Sequence, residues 1–365
     1  MYIIFDNRDK SGVKMLHILL TFDYELFFNE SYCSEKEILI DSTEVIRKAL
    51  DKEEIKATFF VDTPCVYRYK EIGQDLFPTM VEQQVNELLD DKHDIQLHLH
   101  PSWFKAQYEG EKWKFEQNDY SLDKHDNPVE LIKKAKYTLD SLAGSNSNYN
   151  CCAYRAGGFC LSPEEEILNT LYRLGIVFDS SVCCGVKMES VAQTYDWTGI
   201  RRRGQWCFNP LEGVRSIGSN SCVMIEIPVG TFAQIPQKWS LTHGHPKLNY
   251  PPFKGKASPV EEIRKRNKIE RIKDRLVASF TTPVLFSMDS LHFNALYKIA
   301  QDYMTVSQKE NREIYICAIA HPKFSSNESV ENMLQFIKKV RNHQKNGIDF
   351  ITFSDAYNRL DIIRQ

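Results

Sequence analysis

The 365-residue chain has no stretch approaching the roughly 20 consecutive apolar residues that a membrane span requires. Its opening, MYIIFDNRDKSG, has no basic region ahead of a long apolar stretch and cleavage site, so no secretory leader is read there. Neither sign of charge dominates. Lys and Arg number 46 against 49 Asp and Glu, a net charge of −3, which leaves no global basic field to recruit nucleic acid or an anionic membrane. Internal repeats and low-complexity tracts are absent, which removes solenoids and disordered arrays. Cysteine is too sparse for a disulfide scaffold, at ten residues in 365. Cys151-Cys152 and Cys183-Cys184 are adjacent pairs on strand-like segments, where neighbours point to opposite faces, which suits buried thiols in a reducing compartment. These absences together predict a cytoplasmic protein with no transmembrane segment.

What is present is ample material for a core, since 42% of residues are hydrophobic and 12% aromatic. Short apolar runs at 16–22, 57–61, 95–100, 153–155, 177–182, 314–321 and 350–353 read as strands. Helical periodicity occupies 42–52, 78–91, 128–142, 162–174, 290–303 and 329–340. Strands alternating with helices over such distances predict right-handed βα units around a parallel sheet, and this many units favour a closed barrel. The expected fold is α/β, a distorted (β/α)7-type barrel forming one domain over 14–365. A stretch from about 185 to 280 breaks the rhythm, with only 223–229 reading clearly as strand, and is taken as a large insertion. Within it, residues 261–275 read as a charged, solvated helix.

Polar residues gather at the C-terminal ends of the proposed strands: Asp23 and Glu25, His98 and His100, Arg155, Asp179 and His321. In βα barrels that edge carries the active site. His98 and His100 are two apart on a strand, so both imidazoles project to one face and can close on a single ion. Asp23 and Glu25 share a face in the same way, with Tyr24 on the other. Two His and one carboxylate with open positions suit a catalytic Zn2+, although Fe, Mn, Co or Ni accept similar ligands.

These segments, LTFDYELFF, DIQLHLHP, YRAGGF, FDSSV and IAHPK, resemble in order and strand placement the motifs of the polysaccharide deacetylases (NodB-homology domain, carbohydrate esterase family 4). In detail they look most like the WbmS-like branch associated with surface polysaccharide biosynthesis. The resemblance implies a divalent metal, with Zn2+ expected, held by Glu25, His98 and His100. It implies Asp23 as general base, Arg155 as the residue orienting it, His321 as acid and Asp179 as the carboxylate orienting His321. Two departures stand out. Tyr24 occupies the family's metal-aspartate position, leaving Glu25 as nearest ligand, and Ser102 occupies the second-histidine position, so that His100 must substitute; Asp23 and Glu25 could therefore exchange roles.

The implied substrate is an acetylated sugar, a nucleotide-sugar or a lipid-linked glycan, with N- or O-deacetylation both open. A metal-dependent amidohydrolase on another acyl substrate and a catalytically silent carbohydrate-binding barrel are the alternatives. Elsewhere, His243-Gly244-His245 lacks a nearby carboxylate and reads as surface loop. Trp103, Trp113, Trp197, Trp206 and Trp239 read as core or lid packing, with sugar stacking as the functional option. Arg201-Arg202-Arg203 reads as solvated surface, with phosphate binding as its option.

Overall fold

The apolar runs become strands because each is short, rich in aliphatic and aromatic side chains, and bounded by turn residues. The computed structural model describes residues 15–28, 33–116, 120–189, 194–219, 221–232, 283–343 and 347–360. One sheet takes in β1 (Leu16–Tyr24), β2 (Thr58–Asp62), β3 (Asp94–Leu99), β4 (Ala153–Ala156), β5 (Phe178–Asp179), β6 (Trp206–Phe208), β7 (Met224–Glu226), β8 (Ile314–Ala320) and β9 (Ile348–Ile351). The order is β6-β7-β5-β4-β3-β2-β1-β8, and only β6 against β7 is antiparallel. Beyond β7 the chain closes the circuit: Val229 bridges Cys183 on one side and Cys317 of β8 on the other. Seven strands, in the order β7-β5-β4-β3-β2-β1-β8, therefore run round a distorted (β/α) barrel, with β6 paired to β7 and β9 to β1. β9 lies along Leu16–Leu19 of β1 while β2 lies along Thr21–Tyr24, so the two share one edge of β1 in succession.

All nine residues of β1 are buried, the pattern of a strand covered on both faces. The covering helices are α1 (Ser42–Lys52), α2 (Thr63–Glu71), α3 (Leu76–Asp90), α4 (Pro128–Ala143), α5 (Glu164–Arg173), α6 (Phe293–Glu310), α7 (Asn327–Asn342) and α8 (Phe353–Arg359). Helix α4 starts where Asn127 accepts from the Glu130 N–H and Pro128 fills the first turn. Among the described residues no helix is long and apolar enough to cross a membrane.

Three features depart from the sequence reading. Helix α2 follows β2 directly, with Pro64 in its first turn; it is too short for clear periodicity. The stretch taken as an insertion supplies β6 and β7 to the main sheet, while 233–282, including His243, His245, Trp239 and 261–275, lies outside the described residues. The expectation of thiols alone is corrected at Cys207 and Cys222, which form a disulfide where the β6–β7 pairing brings the two segments together. The adjacent pairs Cys151-Cys152 and Cys183-Cys184 are buried, as expected. In the arginine run, Arg202 pairs with Asp302 and lies over Phe232 and Tyr303, and Arg203 lies over Trp206.

Asp179 and Glu226 sit opposite each other in the β5–β7 register, both wholly buried. Burial, then the facing Asp179, pushes the Glu226 carboxyl well above its ordinary value, and burial also raises Asp179. The folded chain thus keeps a proton that the unfolded chain has released, and stability falls as pH rises from the usual glutamate range toward the folded value. Glu226→Gln keeps an oxygen to accept from the Val182 N–H at 3.0 Å and removes this titration. Thermal melts across a pH series are expected to show the variant gaining on the native chain as pH rises. A difference that stays constant with pH would exclude a shared buried proton.

Candidate metal centre

The barrel mouth is levelled by strand register. Asp62 pairs with His98 across β2 and β3, His98 with Arg155 across β3 and β4, and Asp23 with Phe60 across β1 and β2. Registered neighbours in a parallel sheet point the same way, so Asp23, Asp62, His98 and Arg155 all face one side. Tyr24 takes the other face of β1, where its hydroxyl donates to Gln84 Oε1 at 2.9 Å.

Glu25, His98 and His100 offer ligand atoms that all lie within 4.8 Å of one another. His98 Nε2 is 3.3 Å and His100 Nδ1 3.1 Å from Glu25 Oε2. Among the described residues all three atoms are buried without a hydrogen-bond partner, as is Asp62 Oδ2, 3.3 Å from His100 Nδ1. Four orphaned polar atoms converging in a protein interior are costly unless something satisfies them together. The outer contacts suit a cation as well. His98 Nδ1–H donates to the Arg155 carbonyl at 2.7 Å, turning Nε2 inward, and Asp62 Oδ1 accepts from the His100 backbone N–H at 3.0 Å. The residues fit a divalent metal.

His100 is held by shape. The Phe28 ring meets its imidazole edge-on at 4.9 Å, and a Cβ on Gly157 would come within 2.5 Å of His100 Cδ2 and 2.6 Å of the Leu99 carbonyl. The glycine of YRAGG is therefore a clearance for this imidazole, a reason beyond the tight strand exit that glycine also serves.

Around this group lie the charged side chains. Arg155, fully buried, donates to Asp23 Oδ1 at 2.6 Å, to Thr21 Oγ1 at 3.0 Å, to the Ser180 carbonyl at 3.1 Å and to Ser180 Oγ at 2.9 Å. Burial opposes ionisation of Asp23, but Arg155, His98 and His321 outweigh it and hold the carboxyl below its ordinary value. Asp23 Oδ2 faces His321 Nε2 at 3.8 Å. His321 Nδ1 is 2.7 Å from Asp289 Oδ2, and its backbone N–H donates to Asp289 Oδ1 at 3.1 Å. Burial lowers the His321 imidazole, yet Asp289 and Asp23 prevail and raise it. Lys323, 1% exposed, sits 2.8 Å from Glu25 Oε1 and donates to the Leu26 carbonyl at 3.2 Å. Its ammonium is within 6 Å of the Phe27, Phe28 and Phe324 rings. Burial would raise Glu25, but Lys323, His100 and His98 keep it well below the usual carboxylate range.

Of the residues singled out in the sequence, the structure brings together Asp23, Glu25, His98, His100, Arg155 and His321. Asp179 is not with them: its carboxylate accepts from the Ser181 hydroxyl at 2.8 Å and N–H at 3.2 Å and faces Glu226, while the carboxylate on His321 is Asp289. Turn chemistry in FDSSV explains the difference, because an Asp followed by Ser-Ser satisfies itself locally. Asp62, Asp289 and Lys323 are the site residues that sequence reasoning missed. Asp62 ends an apolar strand just as Asp23 does, and the same rule would have found it.

Fold and site together define a (β/α) barrel with a buried acid–histidine cluster at the C-terminal mouth of its strands. No protein-family model matches the chain, and no curated protein is similar to it in sequence. Among solved structures, the chain is similar to a putative polysaccharide deacetylase from Mycobacterium smegmatis, at 13% identity over 95% of this chain and 90% of that one, with a TM-score of 0.47. It is similar to Puue allantoinase at 10% identity over 96% and 91% of the two chains, with a TM-score of 0.49. A probable polysaccharide deacetylase from Pseudomonas aeruginosa PAO1 matches at 12% identity over 96% and 92%, with a TM-score of 0.46.

The charge on His98 yields a test of its ligand role. Burial opposes protonation, but Asp23 and Glu25 outweigh it and raise the imidazole to about 9. A metal bound through Nε2 must displace that proton, so binding at neutral pH should release about one proton and tighten about tenfold per pH unit up to that value. Calorimetry in buffers of different ionisation enthalpy measures this directly. Binding without proton release would remove His98 from the ligand set.

Proposed function

We propose that this protein is a divalent-metal-dependent hydrolase, with Zn2+ the expected ion, that removes an acetyl group from a carbohydrate or glycan precursor in the manner of polysaccharide deacetylases. The WbmS-like resemblance favours a cytoplasmic surface-polysaccharide precursor. The observation that supports it is the convergence of the unpartnered Glu25, His98 and His100 atoms between a carboxylate gripped by Arg155 and an imidazole gripped by Asp289. A divalent ion held by Glu25, His98 and His100, with Asp62 at its border, would supply Lewis acidity toward an acyl carbonyl and toward water.

The chain's own groups divide the remaining work. Glu25 is committed on both sides, Oε1 to Lys323 and Oε2 to the two imidazoles, so it suits a ligand and not a proton carrier. Asp23 has one oxygen fixed by Arg155 and the other facing His98 and His321, where it can take a proton from water attacking the acyl carbon. The tetrahedral oxyanion that results on the substrate then collapses. His321, whose protonated form Asp289 favours, delivers its Nε2 proton to the leaving nitrogen or oxygen.

Metal-loaded protein is expected to release acetate from acetylated sugars, and Asp23→Asn to lower kcat by about 10²-fold or more while metal content is unchanged. Tight glycan binding without metal or turnover would make the protein a binding barrel instead, and turnover confined to non-sugar amides would make it an amidohydrolase. Lys323→Met frees the outer oxygen of Glu25 and should weaken metal binding by about 10- to 100-fold, read as a dissociation constant. An unchanged constant would show that Lys323 has no part in holding the ligand.

A further inference from the structure

The arginine run before β6 is only partly absorbed by the fold. Arg202 is taken up by Asp302, but the half-buried Arg203 has no carboxylate partner among the described residues: its guanidinium lies over the Trp206 ring at 5.6 Å, and its Nε is buried with no acceptor. The segment is pinned against the start of β8. Gln205 Nε2 donates to the Glu313 carbonyl at 3.2 Å, its Oε1 accepts from the Tyr315 N–H at 2.9 Å, and a Cβ on Gly204 would come within 2.5 Å of Ile314 Cγ2. That seating brings in a second guanidinium. Arg312 donates through Nη1 to the Gln205 carbonyl at 3.5 Å and through Nε to Glu310 at 2.7 Å. Burial, then the charge of Arg312, push the Arg203 guanidinium below its ordinary value, with Glu310 the carboxylate that opposes the shift. Like charges held near a buried N–H that lacks an acceptor are unfavourable, and one oxyanion bridging both guanidiniums would relieve the repulsion and supply the missing hydrogen bond together.

We infer that Arg203 and Arg312 form a binding site for a phosphoryl group, a phosphate or diphosphate, away from the candidate metal centre. Arg312 precedes β8, whose seven residues separate it from His321 by about 23 Å at roughly 3.3 Å per residue. The site therefore does not depend on the reaction at the barrel mouth. A guanidinium fork matches two phosphate oxygens, and Trp206 fixes the plane of one such fork. Exposed Arg201, two residues earlier, adds positive charge nearby. A carboxylate is the poorer fit, since Glu310 already gives Arg312 one and leaves Arg203 Nε open, whereas a phosphate dianion has the charge and the oxygens for both cations.

The full chain, treated with a chelator so that no metal at the mouth can take up the anion, is to be titrated calorimetrically with inorganic pyrophosphate. In parallel it is floated with phosphatidylglycerol vesicles and with phosphatidylcholine vesicles. Pyrophosphate should bind, with its dissociation constant raised about tenfold or more in Arg203→Gln and in Arg312→Gln, and raised less in Arg203→Lys, which keeps the charge and loses the fork. Thermal melts without ligand check that each variant is folded. Because Arg203→Gln uncovers Trp206, Arg312→Gln carries the test if that variant does not fold. Capture by phosphatidylglycerol vesicles that pyrophosphate competes away assigns the phosphoryl group to a lipid headgroup, and pyrophosphate binding without such capture assigns it to a soluble phosphate ester. Absence of pyrophosphate binding, or binding that is unchanged in the folded glutamine variants, would overturn the inference.

Discussion

Glu25 is held from two sides: Lys323 grips Oε1 at 2.8 Å, while Oε2 faces two imidazole nitrogens at 3.1 and 3.3 Å. Each contact is buried, so none is weakened by water, and removing any partner would leave a charge uncompensated in the interior. This double hold decides how the two acids of the first strand differ. Asp23, two residues earlier on the same face, is tied through one oxygen to Arg155 and keeps the other toward His321. Two carboxylates of the same chemical kind are thus given different surroundings by which cation reaches them.

The fixed cations come from distant parts of the chain, and the barrel is what makes them neighbours. Arg155 ends β4, and Lys323 lies in the turn after β8, which pairs with β1 along seven residues. Burying an ammonium and a guanidinium is possible here because each has several partners: a carbonyl and three aromatic rings for Lys323, Ser180, Thr21 and the face of Phe60 for Arg155. His100 is accommodated by equally local means. With Ser102 where the resembled family has its histidine, His100 reaches Glu25 from one residue beyond β3, and the missing side chain of Gly157 leaves room for it.

Much of this was legible in the sequence, and the physical reasons are specific. Apolar runs ending in acids or imidazoles mark buried parallel strands whose last residues emerge at the mouth, so Asp23, Glu25, His98, His100, Arg155 and His321 could be placed without coordinates. Lys323 could not, because lysine ordinarily lies at the surface and nothing in HPK announces a cage of three phenylalanines. Asp289 follows the irregular stretch after β7, where no periodicity fixes its register, and Asp179 was drawn toward His321 although its own serines and Glu226 satisfy it. Helix α2 escaped notice because nine residues with a weak apolar stripe do not separate helix from loop.

The misassignment of Asp179 carries a structural lesson about the barrel. A carboxyl at a strand end can serve the mouth only if its strand neighbours leave it unsatisfied. Asp179 meets Glu226 directly across the β5–β7 pairing, and two buried acids side by side cannot both ionise, so they settle by sharing a proton. Asp23 and Glu25 have instead the charge of Arg155 and Lys323 and the imidazoles of His98 and His100 around them. The barrel therefore separates its acids into two electrostatic populations a few strands apart, one sharing a proton by mutual contact and one kept anionic by cations. Only the second can hold a metal or accept a proton from water.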